Sequence, residues 1–265
     1  MKTTDFVDIH CHLLPGIDDG AKSWDESLTM AKMAAADGIR TMIMTPHQLG
    51  NYAHNEGDMI RAKAKQFQQL LDSHDVPLTI MPGADVRIEP QMIRLLKSGN
   101  VLSLGDHRKH VLLELPHELY FPLDGVLEGL QANNMVGILS HPERNQGILK
   151  QPDLIPPLVE RGCLMQITAN SLTGVFGKNC QALCEWLLER QLVHFVATDA
   201  HGPRSRRPLI RRAFDRVEEL SGTALATELC CTNPLAVAEG RDIQVRPPKP
   251  EQRSLFASLF RRRAA

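Results

Sequence analysis

Two histidines one residue apart open the chemistry of this chain. Asp8-Ile9-His10-Cys11-His12 closes an apolar run, and the two-residue period of a strand sends His10 and His12 to one side, where both imidazoles can reach a single ion. The same kind of ending recurs at Thr45-Pro46-His47, Gly83-Ala84-Asp85, Leu113-Glu114-Leu115-Pro116, Ser140-His141-Pro142-Glu143-Arg144, Gln166-Ile167-Thr168-Ala169-Asn170 and Thr198-Asp199-Ala200-His201. Six of these seven endings carry an imidazole or a carboxylate. One such histidine is usually a hydrogen-bonded structural residue. His10, His12, Asp19, His47, Asp85, Glu114, His141, Asp199 and His201 gathered at one mouth would instead need cations to offset the cost of crowding them, so two or three divalent ions are expected. Imidazole and carboxylate ligands without a thiolate suit Mn²⁺, Fe²⁺, Co²⁺ or Zn²⁺ better than Ca²⁺ or a cysteine-zinc site. Strand alternation turns Cys11 to the opposite side, where it packs.

Strands must deliver these groups. Apolar runs rich in Val, Ile, Leu and Met span 5–12, 40–47, 78–86, 110–116, 136–142, 164–170 and 193–199, and amphipathic stretches alternate with them, the pattern of βα units around a parallel sheet. A helix over 25–37 is opened by Asp25 and Glu26 and closed by Gly38; another over 58–73 has an apolar face at Ile60, Ala64, Phe67 and Leu71. Further helices start near 90, 124, 152, 179 and 209, and a last helical piece over 223–240, broken at Asn233-Pro234, is expected to pack outside the barrel. The fold class is thus α/β, a seven-stranded β/α barrel of TIM-like kind, whose strand ends converge on one face. With 265 residues the chain has the usual length of one such domain. Residues 1–245 are assigned to it and 246–265 to a basic, proline-containing tail expected to be flexible. Leu255, Phe256, Leu259 and Phe260 would also suit a short amphipathic helix there.

Composition narrows the function. A net charge of −1 gives no global field to attract nucleic acid or an anionic membrane, so any anion must be caught by a local site. No run reaches the ~18 apolar residues of a membrane span, and the first residues lack a signal peptide's apolar region; cytoplasmic residence is expected. Six scattered cysteines with no C-x-x-C pair read as reduced thiols. Cys184 to Arg190 has the C-x5-R spacing of a cysteine-dependent phosphatase loop. Trp186, Leu187 and Leu188 stand where a phosphate cradle needs small residues, so the segment reads as a core helix. Monomer and homo-oligomer are both open.

Taken in order, DIHCHLLPGIDDGA, MTPH, GADVRI, LLELP, SHPERN, QITANS and ATDAH resemble the PHP (polymerase and histidinol phosphatase) superfamily, and within it the manganese-dependent protein-tyrosine phosphatases of bacterial capsule and exopolysaccharide loci. The likeness runs from Asp8 to about Pro234. It implies a distorted seven-stranded β/α barrel, a trinuclear metal centre, and removal of phosphate from tyrosines, typically on the tail of a polysaccharide-assembly kinase. The family's ligands fall on His10, His12, Asp19, His47, Asp85, Glu114, His141, Asp199 and His201, and Arg144 and Arg206 match its phosphate-binding arginines. Asp19 is preferred to Asp18 for its distance from His12, Asp18 being suited to capping the turn before the helix. Arg206 adjoins Arg207 in a run with Arg204, whose plainer reading is a solvated basic loop. Asp85 departs from the family, which places a bridging Glu there; the shorter side chain must be compensated by movement of backbone or metal.

The expected reaction is in-line attack on phosphorus by a hydroxide shared between two ions, with the third ion, Arg144 and Arg206 holding the phosphate oxygens as charge builds. A tyrosine phenolate, titrating near ~10, needs only modest protonation to leave; His201 or a water is the candidate donor. Two rivals use the same residues: a PHP-type phosphatase of a small metabolite such as histidinol phosphate, and a non-catalytic metal-bearing module that binds phosphorylated tails. Hydrolytic deamination also begins from H-x-H but wants a metal-bridging Lys after a middle strand, and none stands at these strand ends.

Overall fold

The computed structural model describes residues 5–247; the tail segment carrying Leu255 to Phe260 lies outside them. Nine strands occur among the described residues: β1 (Phe6–Cys11), β2 (Ile39–Met44), β3 (His47–Gln48), β4 (Thr79–Pro82), β5 (Asp85–Arg87), β6 (His110–Glu114), β7 (Val136–Ser140), β8 (Leu164–Thr168) and β9 (Phe195–Ala197). All ladders are parallel, as the alternation of apolar runs and helices requires. The α/β class with parallel strands is as expected, but the strands form two sheets, β1-β2-β4 and β3-β5-β6-β7-β8-β9, in place of the distorted seven-stranded barrel. Proline explains the difference. The expected strands over 40–47 and 78–86 are each interrupted, at Pro46 and at Pro82-Gly83, where a missing N–H ends the ladder. Each interruption hands the chain from the small sheet to the large one, so β2 and β4 pair in the first while β3 and β5 pair in the second. Between β9 and β1 the backbone hydrogen bonds are made just past the end of β9. There Asp199 N–H donates to His10 O and His12 N–H to Ala200 O, both at 2.8 Å.

Helices cover the outer faces of the strands. Trp24–Asp37 begins where Ser23 Oγ accepts Glu26 N–H and ends at Gly38, whose φ of 104° few other residues would adopt. Gly57–Ser73 buries Ile60, Ala64, Phe67 and Leu71, the face read from the sequence. Lys178–Glu189 is the helix expected around Cys184, whose buried thiol is pushed well above its usual range. It is packing, not a nucleophile.

Inside the strands a second apolar cluster joins Val7, Ile9, Ile43, Leu112, Ile138, Leu164, Phe195 and Ala197 with Val237 and Ala238. The last two correct the expectation that the final helical piece packs outside. It runs as Thr223–Thr227, a π-turn over Glu228–Thr232, and Asn233–Ala238, and its end plugs the interior at the strand starts. His107, just before β6, fixes that plug through its ring Nε2 and Ala238 O at 2.8 Å. The strand starts leave an apolar hollow there, and Val237 and Ala238 are the side chains that fill it.

Candidate metal centre

Strand parity carries the site. On β6, β7, β8 and β9 the inward positions begin with Leu112, Ile138, Leu164 and Phe195, and two or four residues later the same side presents Glu114, Ser140, Gln166 and Asp199. On β1 the register slips between Asp8 and Cys11. Without that irregularity the parity of Val7 and Ile9 would bring Cys11 inward. With it, Cys11 joins the outer cluster and His10 and His12 turn into the mouth. The proline breaks in the other sheet make His47 and Asp85 register partners, and Arg87 and Glu114 likewise.

All nine sequence-derived candidate ligands meet. Ligand atoms lie within 4.8 Å of one another in four overlapping groups: His12, Asp19, His47 and His201; His10, His12 and Asp85; His10, His141 and Asp199; and His47, Asp85 and Glu114. The imidazoles are already oriented by other partners. His10 Nδ1–H donates to Gln166 Oε1 and His12 Nδ1–H to Asp18 Oδ2, both at 2.7 Å, and His201 Nδ1–H to Asp199 O at 2.9 Å. These bonds leave the Nε2 lone pairs aimed inward. His10 Nε2 and His12 Nε2 stand 3.3 Å apart, with Asp199 Oδ1 at 3.3 Å and 3.6 Å from them. Asp85 is fully buried and neither of its oxygens accepts a hydrogen bond, although Oδ2 lies 3.5 Å from both His10 Nε2 and His47 Nδ1. A carboxylate so placed needs cations around it, and the donor set fits divalent ions. Asp85 holds the position where a longer Glu was expected, and it reaches the same cluster.

Protons alone neutralise this mouth poorly. Burial opposes charging His10, yet Asp199 and Asp85 push its pKa up to about 9. Three ångströms away His12 is pushed down to about 3, by burial and by neighbouring His201. Burial and then Asp85 raise Glu114 to about 7, while the imidazoles of His201 and His47 hold Asp19 far below the usual carboxylate range. Groups of one kind in the same mouth are thus driven in opposite directions by burial and by the charges nearest to each.

At the edge of the cluster Arg144 and Arg206 both donate to Asp199 Oδ2. Arg207, the neighbour left open by the sequence, is exposed. Asp19 belongs to the cluster, while Asp18 supports it: Oδ1 accepts Gly20 N–H at 2.9 Å and Oδ2 orients His12. His141, Asp199 and Arg206 all have positive φ, at 34°, 50° and 50°. Strain concentrated in these residues is expected where side chains must be aimed against local preference. Sequence reasoning assigned no role to Gln166, Glu143, Tyr52 or Arg87. Glu143 is buried and accepts Thr168 N–H at 2.9 Å, which fixes the turn carrying His141 and Arg144. Tyr52 stacks on His47 with ring centroids 5.2 Å apart, and with Leu49, Arg87 and Glu114 it lines a cleft of about 190 Å³. The inward parity of Gln166 and Arg87 was the available signal.

Parallel strands that gather imidazoles and carboxylates at their C-terminal ends over an apolar floor are the architecture of metal-dependent hydrolases. At the level of fold alone, the lactonase Lmo2620 from Listeria monocytogenes superposes with a TM-score of 0.56 at 12% identity, over 93% of this chain and 96% of that one. A crystal structure from work on YwqE of Bacillus subtilis and CpsB of Streptococcus pneumoniae, described as unique metal-dependent tyrosine phosphatases, superposes with a TM-score of 0.88 at 36% identity, over 93% of this chain and all of that one. The tyrosine-protein phosphatase YwqE of Bacillus subtilis strain 168 is 37% identical over 256 residues, 96% of this chain and 100% of that protein. The family described as capsular polysaccharide synthesis, CpsB/CapC, matches residues 6–239. The chain belongs to the CpsB/CapC family, as its motifs implied.

Proposed function

We propose that this chain is a metal-dependent protein-tyrosine phosphatase, acting on the phosphotyrosine tail of a kinase of polysaccharide assembly. The observation that carries the reading is the meeting of nine imidazole and carboxylate ligands with two guanidinium groups at their edge. His10, His12, Asp19, His47, Asp85, Glu114, His141, Asp199 and His201 would hold two or three divalent ions, manganese first, with iron, cobalt or zinc as substitutes. Such ions supply a water-derived nucleophile at neutral pH and draw charge from phosphoryl oxygens. The chain's own part is positioning. Arg144 and Arg206 share Asp199 Oδ2 until a phosphoryl group offers a richer set of acceptors, and their planar forks then fix its oxygens as negative charge builds. Phe176, 4.6 Å under the Arg144 guanidinium, keeps that fork facing the mouth. A proton for the departing phenolate would come from a water or, where its Nε2 is not engaged by an ion, from His201. No described helix is long and apolar enough to cross a membrane, and the six separate thiols suit the cytoplasm, where a kinase tail would be met.

The test is a panel of a phosphotyrosine peptide, a phosphoserine peptide and histidinol phosphate, assayed with EDTA-stripped protein before and after return of each metal. No turnover when stripped, recovery with Mn²⁺ and preference for phosphotyrosine are expected. Faster turnover of histidinol phosphate would move the reading to a small metabolite. Tight binding of the phosphopeptide without phosphate release would move it to a binding module.

A further inference from the structure

Two loops beside Arg144 hold large apolar side chains in water. Val175 is 64% exposed and Leu119 58%, the two highest values for large hydrophobic residues among the described ones. Both loops meet the turn that carries Arg144. Phe176, next to Val175, lies under the Arg144 guanidinium, and Leu119 O accepts from Asn145 Nδ2 at 3.0 Å. That turn also lines a cleft of about 170 Å³ together with Glu114, His117 and His141, so the turn that both loops meet borders the metal mouth.

Their exposure is built in. Val175 N–H donates to Asn170 O at 2.9 Å and Gly177 N–H to Gly174 O at 3.1 Å, while Gly174 and Gly177 supply the positive φ that the turn needs. Leu119 N–H donates to Pro116 O at 3.2 Å in the same way. Ordered loops that aim apolar side chains at water beside a reactive centre have the character of a recognition surface. The metals and arginines would hold a phosphate whatever carries it, so choice among phosphomonoesters must come from the rim. A small polar metabolite has nothing to lay against Leu119 or Val175. An extended polypeptide advances about 3.3 Å per residue, so side chains within a few positions of the phosphotyrosine come within reach of both.

We propose that Leu119 and Val175 form a subsite for apolar side chains flanking phosphotyrosine in an extended polypeptide substrate. The proposal rests on the protein-tyrosine phosphatase reading above. The test uses the Mn²⁺-loaded full chain and its Leu119→Ser/Val175→Ser double variant, neither residue touching the metal cluster or the arginines' acceptors. Substrates are p-nitrophenyl phosphate, a phosphotyrosine peptide with Leu and Phe flanks, and the same peptide with Ser flanks. The parent protein is expected to favour the apolar peptide by roughly tenfold in kcat/KM, chiefly through KM, and the variant to lose that preference while hydrolysing p-nitrophenyl phosphate within about twofold of the parent rate. Equal use of both peptides by the parent, an unchanged preference in the variant, or a parallel fall on p-nitrophenyl phosphate would overturn it. A change of elution volume with unaltered kinetics would give the rim to a second copy of the chain and likewise overturn it. Failure of the parent on both peptides, with p-nitrophenyl phosphate still cleaved, would instead sink the phosphotyrosine reading and the subsite with it.

Discussion

Two environments of opposite character share the inner faces of the same strands. On β6 the step from Leu112 to Glu114 leaves an apolar floor for a polar mouth, and on β8 Leu164 gives way to Gln166 in the same two residues. The floor is apolar and filled by Val237 and Ala238 from the last helix. The contrast shows what the floor does for the chemistry above it. A low-dielectric base strengthens each charge interaction in the mouth and closes the path by which water would hydrate the carboxylates from below. It also locks the strands whose ends hold the ligands, so the ligands are aimed before any ion arrives.

The comparison predicts that damage to the two layers separates cleanly. In the mouth, His10→Ala or Asp199→Ala is expected to lower phosphatase turnover on the order of a thousandfold or more, with little change in fold. Elemental analysis of the purified variants should record lost metal, and full activity in either would refute the ligand assignment. In the floor, Phe195→Ala removes a fully buried ring and should destabilise the protein by about 3–5 kcal/mol in urea unfolding. Turnover per folded molecule should hold. If Phe195→Ala left stability untouched but lowered turnover, floor and mouth would not be separable layers.

The sequence displayed the mouth more fully than the frame around it. Every candidate ligand except Asp19 was legible because it follows an apolar run at a strand end, a local signal that survives errors in strand pairing; Asp19, in the loop after β1, was reached through the resemblance. The pairing itself was hidden: whether Pro46 and Pro82 merely end a strand or pass the chain between sheets depends on partners distant in sequence. The H-x-H rule placed His10 and His12 on one side, but which side depended on a register slip against β2 that no residue type announces. Val237 and Ala238 looked like the face of an outer helix because their partners, Val7 and Ile43 among them, come from across the chain. Spacing alone favoured Asp19 over Asp18; in the fold Asp19 stands beside His47 and His201 while Asp18 bonds His12 Nδ1.

Buried imidazoles outside the mouth sharpen the contrast at a smaller scale. His194 is buried with no carboxylate beside it, and burial pushes its pKa down to about 4. Its Nδ1 accepts Met165 N–H at 3.0 Å, a bond that a cationic ring would lose. The unfolded chain, titrating near ~6.5, therefore binds this proton when the folded one does not. Its contribution is present above pH ~6.5 and lost as pH falls toward 4, on the order of 3 kcal/mol in all. His194→Asn keeps an acceptor at the Nδ1 position and removes the titration. Urea unfolding across that pH range should show a shallower slope in the variant, by about one proton. An unaltered slope would mean that His194 does not resist protonation in the fold.

The smallest expected effect tests whether groups behind the ligands matter. Asp18 Oδ2 receives the Nδ1 proton of His12, which fixes the tautomer and makes the inward Nε2 more basic. Asp18→Asn keeps an oxygen there and removes the charge, so His12 should stay in place but bind an ion less strongly, by about tenfold. Titrating the EDTA-stripped variant with Mn²⁺ and following activity should show a higher half-saturating concentration with nearly the parent rate at saturation. Asp19→Asn removes a group from the cluster itself and should lower the saturating rate as well. If the two variants behaved alike, Asp18 would be a ligand in its own right, and the distinction drawn between the mouth and its supports would fail at that residue.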